Sequence, residues 1–108
     1  MELAETPADQ QKGLSGRDSM PADRGMLFIF KSESRWQFWM KDMRFSLDII
    51  WFDSNRSAVY VEENLPPCSQ EQCPVYTPAA GALYVLEVNA GFVQAHGISL
   101  ADTFDIIT

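Results

Sequence analysis

Short apolar segments of strand length, separated by turn residues, dominate this chain of 108 residues. Residues 26–30 are apolar at every position, which is typical of a strand buried on both faces in the middle of a sheet. Residues 36–41, 45–52, 58–62, 82–88 and 103–107 are the other strand-like segments. Residues 53–56 have the composition of a hairpin turn. The pattern predicts a mainly β fold.

Two short helices are predicted beside these strands. Thr6 is a good N-cap and Pro7 suits the first helical position, so a helix should run to about Leu14, and Gly16 can end it. Asn89 can cap a second helix through residues 94–96. Together with the strands, the helices predict a compact antiparallel β-sandwich or barrel with one or two short flanking helices.

Length and charge limit the function classes. The chain is long enough for one domain with a single core. Its formal net charge of −7 disfavours nucleic acid and anionic membrane surfaces as partners. No apolar run is long enough to span a membrane. His96 is the single histidine, more typical of a helix end than of a metal site, so we expect no metal and no cofactor. We expect a monomer.

Cys68 and Cys73 lie in a proline-rich loop over residues 64–81. The spacing favours a structural disulfide over two free thiols or a redox pair. A disulfide indicates an oxidising compartment, yet no secretory segment follows Met1. We therefore expect a periplasmic or extracellular protein whose signal or anchor segment precedes this sequence.

Trp39 and Lys41 are the first candidates for a binding site. Side chains alternate between the two faces of a strand. In a strand over residues 36–41, Trp39 and Lys41 therefore share a half-polar face with Gln37. The opposite, core face carries Trp36, Phe38 and Met40. A large ring with polar neighbours can bind a glycan or a peptide. Alternatively, the loop over residues 64–81 covers Trp39 and the ring is structural.

Two acidic residues lie in otherwise apolar strands. Asp48 and Glu87 are expected to be buried, and buried carboxylates need ionic or hydrogen-bonding partners. Arg17 or Lys41 can serve as the partner. Asp48 then belongs to a structural ion pair, a backbone cap or a ligand site. Convergence of all four side chains would form either a buried polar network or the floor of a small-ligand pocket.

The whole chain resembles one known family. The similarity is carried by GMLFIF at residues 25–30, FWMKD at 38–42, LDII at 47–50 and YVLEV at 84–88. It resembles the bacterial and archaeal family called domain of unknown function 192. The chain departs from the family pattern at Ser15-Gly16, at Asp42 where Asn is common, and at Ala101 where Gly is common. The resemblance implies a β-rich sandwich or barrel, often exported, and implies no activity.

The favoured function is an exported, non-catalytic module that binds a small molecule, glycan or peptide, with Trp39, Lys41, Asp48, Arg17 and Glu87 as candidate residues. The alternative is a structural or protein-interaction domain that uses the loop over residues 64–81. An enzyme is the least favoured of the three possibilities. The chain has no G-x-S-x-G nucleophile motif and no Gly-rich phosphate loop.

Overall fold

A computed structural model describes residues 2–103. These residues form seven strands and two short helices. In chain order the elements are β1 (Glu2–Ala4), α1 (Pro7–Lys12), β2 (Gly25–Ser34), β3 (Phe38–Trp39), β4 (Leu47–Phe52), β5 (Ala58–Leu65), β6 (Val75–Tyr76), β7 (Ala82–Asn89) and α2 (Phe92–His96).

The main sheet has five strands in the order β1-β2-β7-β4-β5, and β3 pairs with β6 in a separate two-stranded ribbon. All pairs are antiparallel except β1 with β2, which is parallel. Within residues 2–103 the main sheet has two edges, β1 and β5, so it is not a closed barrel. The mainly β prediction is confirmed, in its sandwich-like form.

Alternation along the central strands divides the core between the two faces of the sheet. One face, here called the Phe28 face, carries the larger cluster, which includes Phe28, Ile49, Trp51 and Val85. The opposite face, the Ile50 face, carries the smaller cluster, which includes Ile50 and the α2 residue Val93. The β3–β6 ribbon lies over the Phe28 face, because Phe38 packs edge-on against Phe28 at 5.0 Å and against Trp51 at 5.9 Å.

Helix α1 begins as predicted and ends earlier. The Thr6 hydroxyl accepts a hydrogen bond from the Asp9 amide, and Pro7 occupies the first turn. The helix ends at Lys12 with Gly13 as its C-cap, two residues before Leu14, because the positive φ of Gly13 (+50°) breaks the helix. The side chain of Gln10 donates to the carbonyls of Ala4 and Ile29, which fixes α1 against β1 and β2.

Helix α2 has a different cap from the predicted one. Gly91 is its N-cap residue, and the side chain of Asn89 instead donates to the Met20 carbonyl. The amides of Gly91 and Val93 donate to Asp48, which lies on β4. A tertiary contact therefore replaces the local cap, whereas Gly97 ends the helix as predicted.

Several strand limits also differ from the predictions. β2 continues to Ser34, four residues beyond the apolar run at residues 26–30, and its outer half is exposed. Conversely, only Phe38 and Trp39 of the predicted strand over residues 36–41 form a strand, and Lys41 adds an isolated bridge to Cys68. β6 lies inside the segment predicted to be a loop, where Val75 and Tyr76 pair with Trp39 and Phe38 of β3. Of the last predicted strand only Thr103 is described, in a bridge to Ser57, and residues 104–107 lie outside the described residues.

The disulfide between Cys68 and Cys73 is present, with its Cα atoms 5.9 Å apart. Cys68 is also held by its backbone: its amide donates to the Met40 carbonyl, and its carbonyl accepts from the Asp42 amide. The clip is therefore attached to the segment that follows β3. Neither helix within residues 2–103 has the length and apolar character needed to cross a bilayer.

Candidate functional site

A cavity of about 350 Å³ opens on the Phe28 face, between the end of α1, the β3 segment and the main sheet. We call it the Glu87 pocket. It is lined by three groups of residues: the α1 end at residues 10–15, the segments at residues 36–39 and 41–43, and the sheet residues Phe28, Phe30 and Glu87.

Glu87 supplies the buried polar group of this pocket. It lies on the central strand β7, directly between Met26 of β2 and Ile49 of β4, and is 4% exposed. No hydrogen bond to its carboxyl is found within residues 2–103, and its oxygens are not sealed from solvent, because the group opens to the cavity. Burial raises the pKa of the Glu87 carboxyl to about 8, so the group is mostly protonated at neutral pH.

The end of α1 approaches this carboxyl closely. A Cβ atom placed on Gly13 would lie 3.7 Å from Glu87 Oε1 and 3.3 Å from the Phe28 ring. Glycine is therefore needed at position 13 for two reasons: the backbone has a positive φ, and the lack of a side chain keeps the pocket open beside Glu87.

Aromatic side chains form one wall of the pocket. Phe38 packs edge-on against Phe28, and Phe30 stacks on Trp36 with ring centroids 4.2 Å apart. These contacts fix the rings against one another, so the wall is preorganised. The lining combines an extended aromatic surface with one carboxyl, which is the composition of a small-molecule site.

Trp39 and Lys41 stand at the mouth of the same pocket. Trp39 is 52% exposed, so the disulfide loop does not cover it and the covered-ring alternative is wrong. Lys41 is half-buried, and its Nζ lies 5.5 Å from the centroid of the Trp39 ring, within the range of a cation–π contact. Alternation along this segment is as expected, with Met40 buried between them.

Asp48 lies on the other side of the sheet. It pairs with Val88, a member of the Ile50-face cluster, whereas Glu87 points to the Phe28 face. Asp48 is fully buried and accepts three backbone hydrogen bonds, from Asn64 at 2.9 Å, Gly91 at 3.1 Å and Val93 at 2.9 Å. Of the alternatives considered for Asp48, the structure has the backbone cap, and neither Arg17 nor Lys41 is its partner.

Arg17 is also outside the pocket lining. Its guanidinium forms a two-pronged ion pair with Glu2 on β1, with Nη2 2.7 Å from Oε1. The hydrogen bonds from Arg17 lower the pKa of the Glu2 carboxyl. The structure thus brings together Trp39, Lys41 and Glu87, and the expected convergence of Arg17, Lys41, Asp48 and Glu87 does not occur.

Sequence reasoning missed the contribution of the α1 end. Ser15 and Asp42, two of the positions that depart from the family pattern, both line the Glu87 pocket. Asp42 has a left-handed backbone (φ +62°), which Asp and Asn adopt more readily than most residues. These departures were the available signal that the segments meet at one site. No group of three or more potential metal ligands occurs within the described part of the chain.

Comparison with known proteins identifies the family of this chain. The chain matches the model of DUF192, described as "Uncharacterized ACR", over residues 1–106. The chain belongs to the DUF192 family. The resemblance seen in the sequence is thereby confirmed, and no curated protein matches the chain.

Two solved structures are similar to this DUF192 chain. A proposed transcription regulator from Sinorhizobium meliloti 1021 is 34% identical, with a TM-score of 0.87 over 94% of this chain and 77% of that one. A protein of unknown function from Novosphingobium aromaticivorans DSM 12444 is 32% identical, also with a TM-score of 0.87, over 94% of this chain and 71% of that one.

Proposed function

We propose that this DUF192 protein is a non-catalytic module that binds a small ligand in the Glu87 pocket. One observation carries the proposal: Glu87 is a buried carboxyl that faces a cavity and has no hydrogen-bonding partner within residues 2–103. A ligand that hydrogen-bonds to Glu87 would supply the missing partner.

The energetics of Glu87 argue against a purely structural role. Burying the Glu87 carboxyl costs free energy, because the group loses most of its hydration and gains no hydrogen bond from the described residues. An apolar side chain of similar size would avoid this cost and pack against Phe28. A destabilising group that faces a cavity is typical of a functional site, where stability is sacrificed for binding.

The pocket matches a small molecule in size and access. Its volume of about 350 Å³ is at the lower end of the range for small-molecule sites. Trp39 and Lys41 at the mouth are available to a ligand from solvent, because Trp39 is exposed and Lys41 only half-buried. Trp39 supplies a ring face, and Lys41 supplies N–H donors.

We further propose that the protein acts in the periplasm or outside the cell. The support is the disulfide between Cys68 and Cys73, since such bonds persist in oxidising compartments. The net charge of −7 argues against a role through direct contact with nucleic acid.

A ligand screen tests the proposed function. We expect hits from a fragment library, monitored by backbone amide NMR, to shift the amide signals of Gly13, Lys41 and Glu87 together. Trp39→Ala should weaken such hits about tenfold without unfolding the protein, because the Trp39 ring is half in solvent and contributes little to the core. Leu100→Ala, which truncates another exposed apolar residue, is the matched control and should leave binding unchanged.

Two outcomes of the fragment screen would contradict binding in the Glu87 pocket. If no fragment shifts these amides, or if all hits map to Trp39 and Val75 alone, the Glu87 pocket is not a binding site. The second pattern would favour the alternative, a protein-interaction domain. That alternative has its own support, because Trp39 and Val75 are cross-strand neighbours and are 52% and 53% exposed.

A further inference from the structure

We infer that the ligand of the Glu87 pocket is a small organic amine, which enters with its ammonium group toward the Glu87 carboxyl. This inference rests on the proposed function and adds the chemical class of the ligand. It is drawn from three features of the pocket: the unpartnered carboxyl, the aromatic wall, and the order of charges from floor to mouth.

The first feature is the Glu87 carboxyl, to which no neighbouring group donates a hydrogen bond. Hydrogen bonds to Glu87 from other side chains or from backbone amides are missing within residues 2–103, and burial keeps the group protonated at neutral pH. An ammonium group brings both N–H donors and a positive charge. On binding, the O–H bond of Glu87 breaks, its proton leaves to solvent, and the carboxylate pairs with the ammonium.

The aromatic wall favours a cation over other head groups. The faces of aromatic rings carry negative potential and attract ammonium groups, most strongly where water is excluded. The structure already shows this contact at the mouth, where Lys41 Nζ lies 5.5 Å from the centroid of the Trp39 ring. Phe28, Phe30 and Phe38 offer the same chemistry deeper in the pocket.

Charged groups at the mouth set the orientation of the ligand. Lys12, Lys41 and Asp42 also line the pocket, and Lys12 and Asp42 are exposed whereas Lys41 is half-buried. These groups are solvated, and burial alone accounts for the raised pKa of Glu87. The Glu87 carboxyl, which becomes negative when an ammonium binds, is therefore deep, and two lysines and one carboxylate, Asp42, lie at the mouth. This order favours an ammonium that enters first and a neutral or anionic end that stays near the lysines.

Three probes of similar size and different charge test the inference: benzylamine, benzyl alcohol and benzoate. We expect isothermal titration calorimetry to detect benzylamine and neither of the other two. Benzylamine binding should release about one proton per ligand, seen as a dependence of the measured heat on the buffer, and should strengthen about tenfold from pH 6 to pH 7 as Glu87 becomes easier to ionise.

Two variants make the test specific. Glu87→Gln keeps the size and neutrality of the protonated side chain, so it should fold; it should weaken benzylamine at least tenfold and abolish the pH dependence. Glu63→Gln, on the exposed part of edge strand β5, removes one negative charge away from the pocket. It should leave the affinity for benzylamine and its pH dependence unchanged.

The results that overturn the amine differ from those that overturn the binding site. Glu87-dependent binding of benzyl alcohol or benzoate, or benzylamine binding without proton release, overturns the ligand class and leaves the proposed function standing. Absence of binding by all three probes also overturns the amine inference, and the fragment screen then decides on the pocket itself.

Discussion

At the scale of single residues, the two buried carboxyls show how the same side-chain chemistry serves different purposes. Asp48 accepts three backbone N–H groups, whereas the Glu87 carboxyl accepts none from the described residues. Asp48 joins β4 to Asn64 and to the beginning of α2, so its role is architectural. Glu87 has the opposite profile, because it is buried without a hydrogen bond from the described residues and its carboxyl opens to a cavity.

Asp48→Asn should destabilise the protein. The substitution turns one acceptor into an NH₂ donor that points at backbone N–H groups, which leaves at least one buried donor unsatisfied and costs about 2–3 kcal/mol. Urea unfolding measures the loss. Asp18→Asn is the control, because Asp18 pairs with Arg44 in an exposed ion pair and its removal should change little. An Asp48→Asn variant as stable as the parent would contradict the capping role.

At the scale of elements, the ribbon of β3 and β6 positions the mouth of the site. Phe38 points into the core and Trp39 points away from it, so two residues of strand are enough to present Trp39 above the pocket. The alternation was predictable from sequence. The partner strand β6 was not, because Val75 and Tyr76 lie among prolines and a disulfide and show no strand-length pattern.

The disulfide clip should contribute modestly to stability. It closes a loop between Cys68 and Cys73 only, which corresponds to about 2 kcal/mol in the chain-entropy model. The backbone hydrogen bonds of Cys68 to Met40 and Asp42 hold the loop independently. The double variant Cys68→Ser, Cys73→Ser should therefore fold and unfold at lower urea concentration. Complete unfolding of this variant would show that the clip is essential to the fold.

At the scale of the whole molecule, Glu87 should make stability depend on pH. Its pKa is about 8 in the folded protein and near the ordinary 4.5 when unfolded, so the unfolded chain binds fewer protons than the folded one between these values. The contribution of Glu87 to the free energy of unfolding is therefore fully present below about pH 4.5. It is lost as the pH rises toward 8, by up to about 1.4 kcal/mol per pH unit.

Glu87→Gln isolates this contribution. The variant should match the parent near pH 4 and exceed it at pH 7 by an amount on the order of 3 kcal/mol. The difference between the two urea unfolding curves, measured across that range, removes the effect of all other titrating groups, including Glu2. A constant difference across the range would mean that Glu87 titrates normally in the folded protein.

The sequence by itself determined the strands β2, β4, β5 and β7, the first helix cap and the disulfide, because these depend on local alternation, capping chemistry and short-range spacing. It did not show β1 or β6. It also placed Trp39 and Lys41 on one strand face and identified Glu87 as a buried acidic candidate that could meet Lys41. Only the tertiary structure decided that these three share a pocket while Asp48 lies on the opposite face of the sheet. That outcome depends on strand register and on how the α1 end and the β3–β6 ribbon cover the Phe28 face, and both arise from contacts between segments distant in sequence.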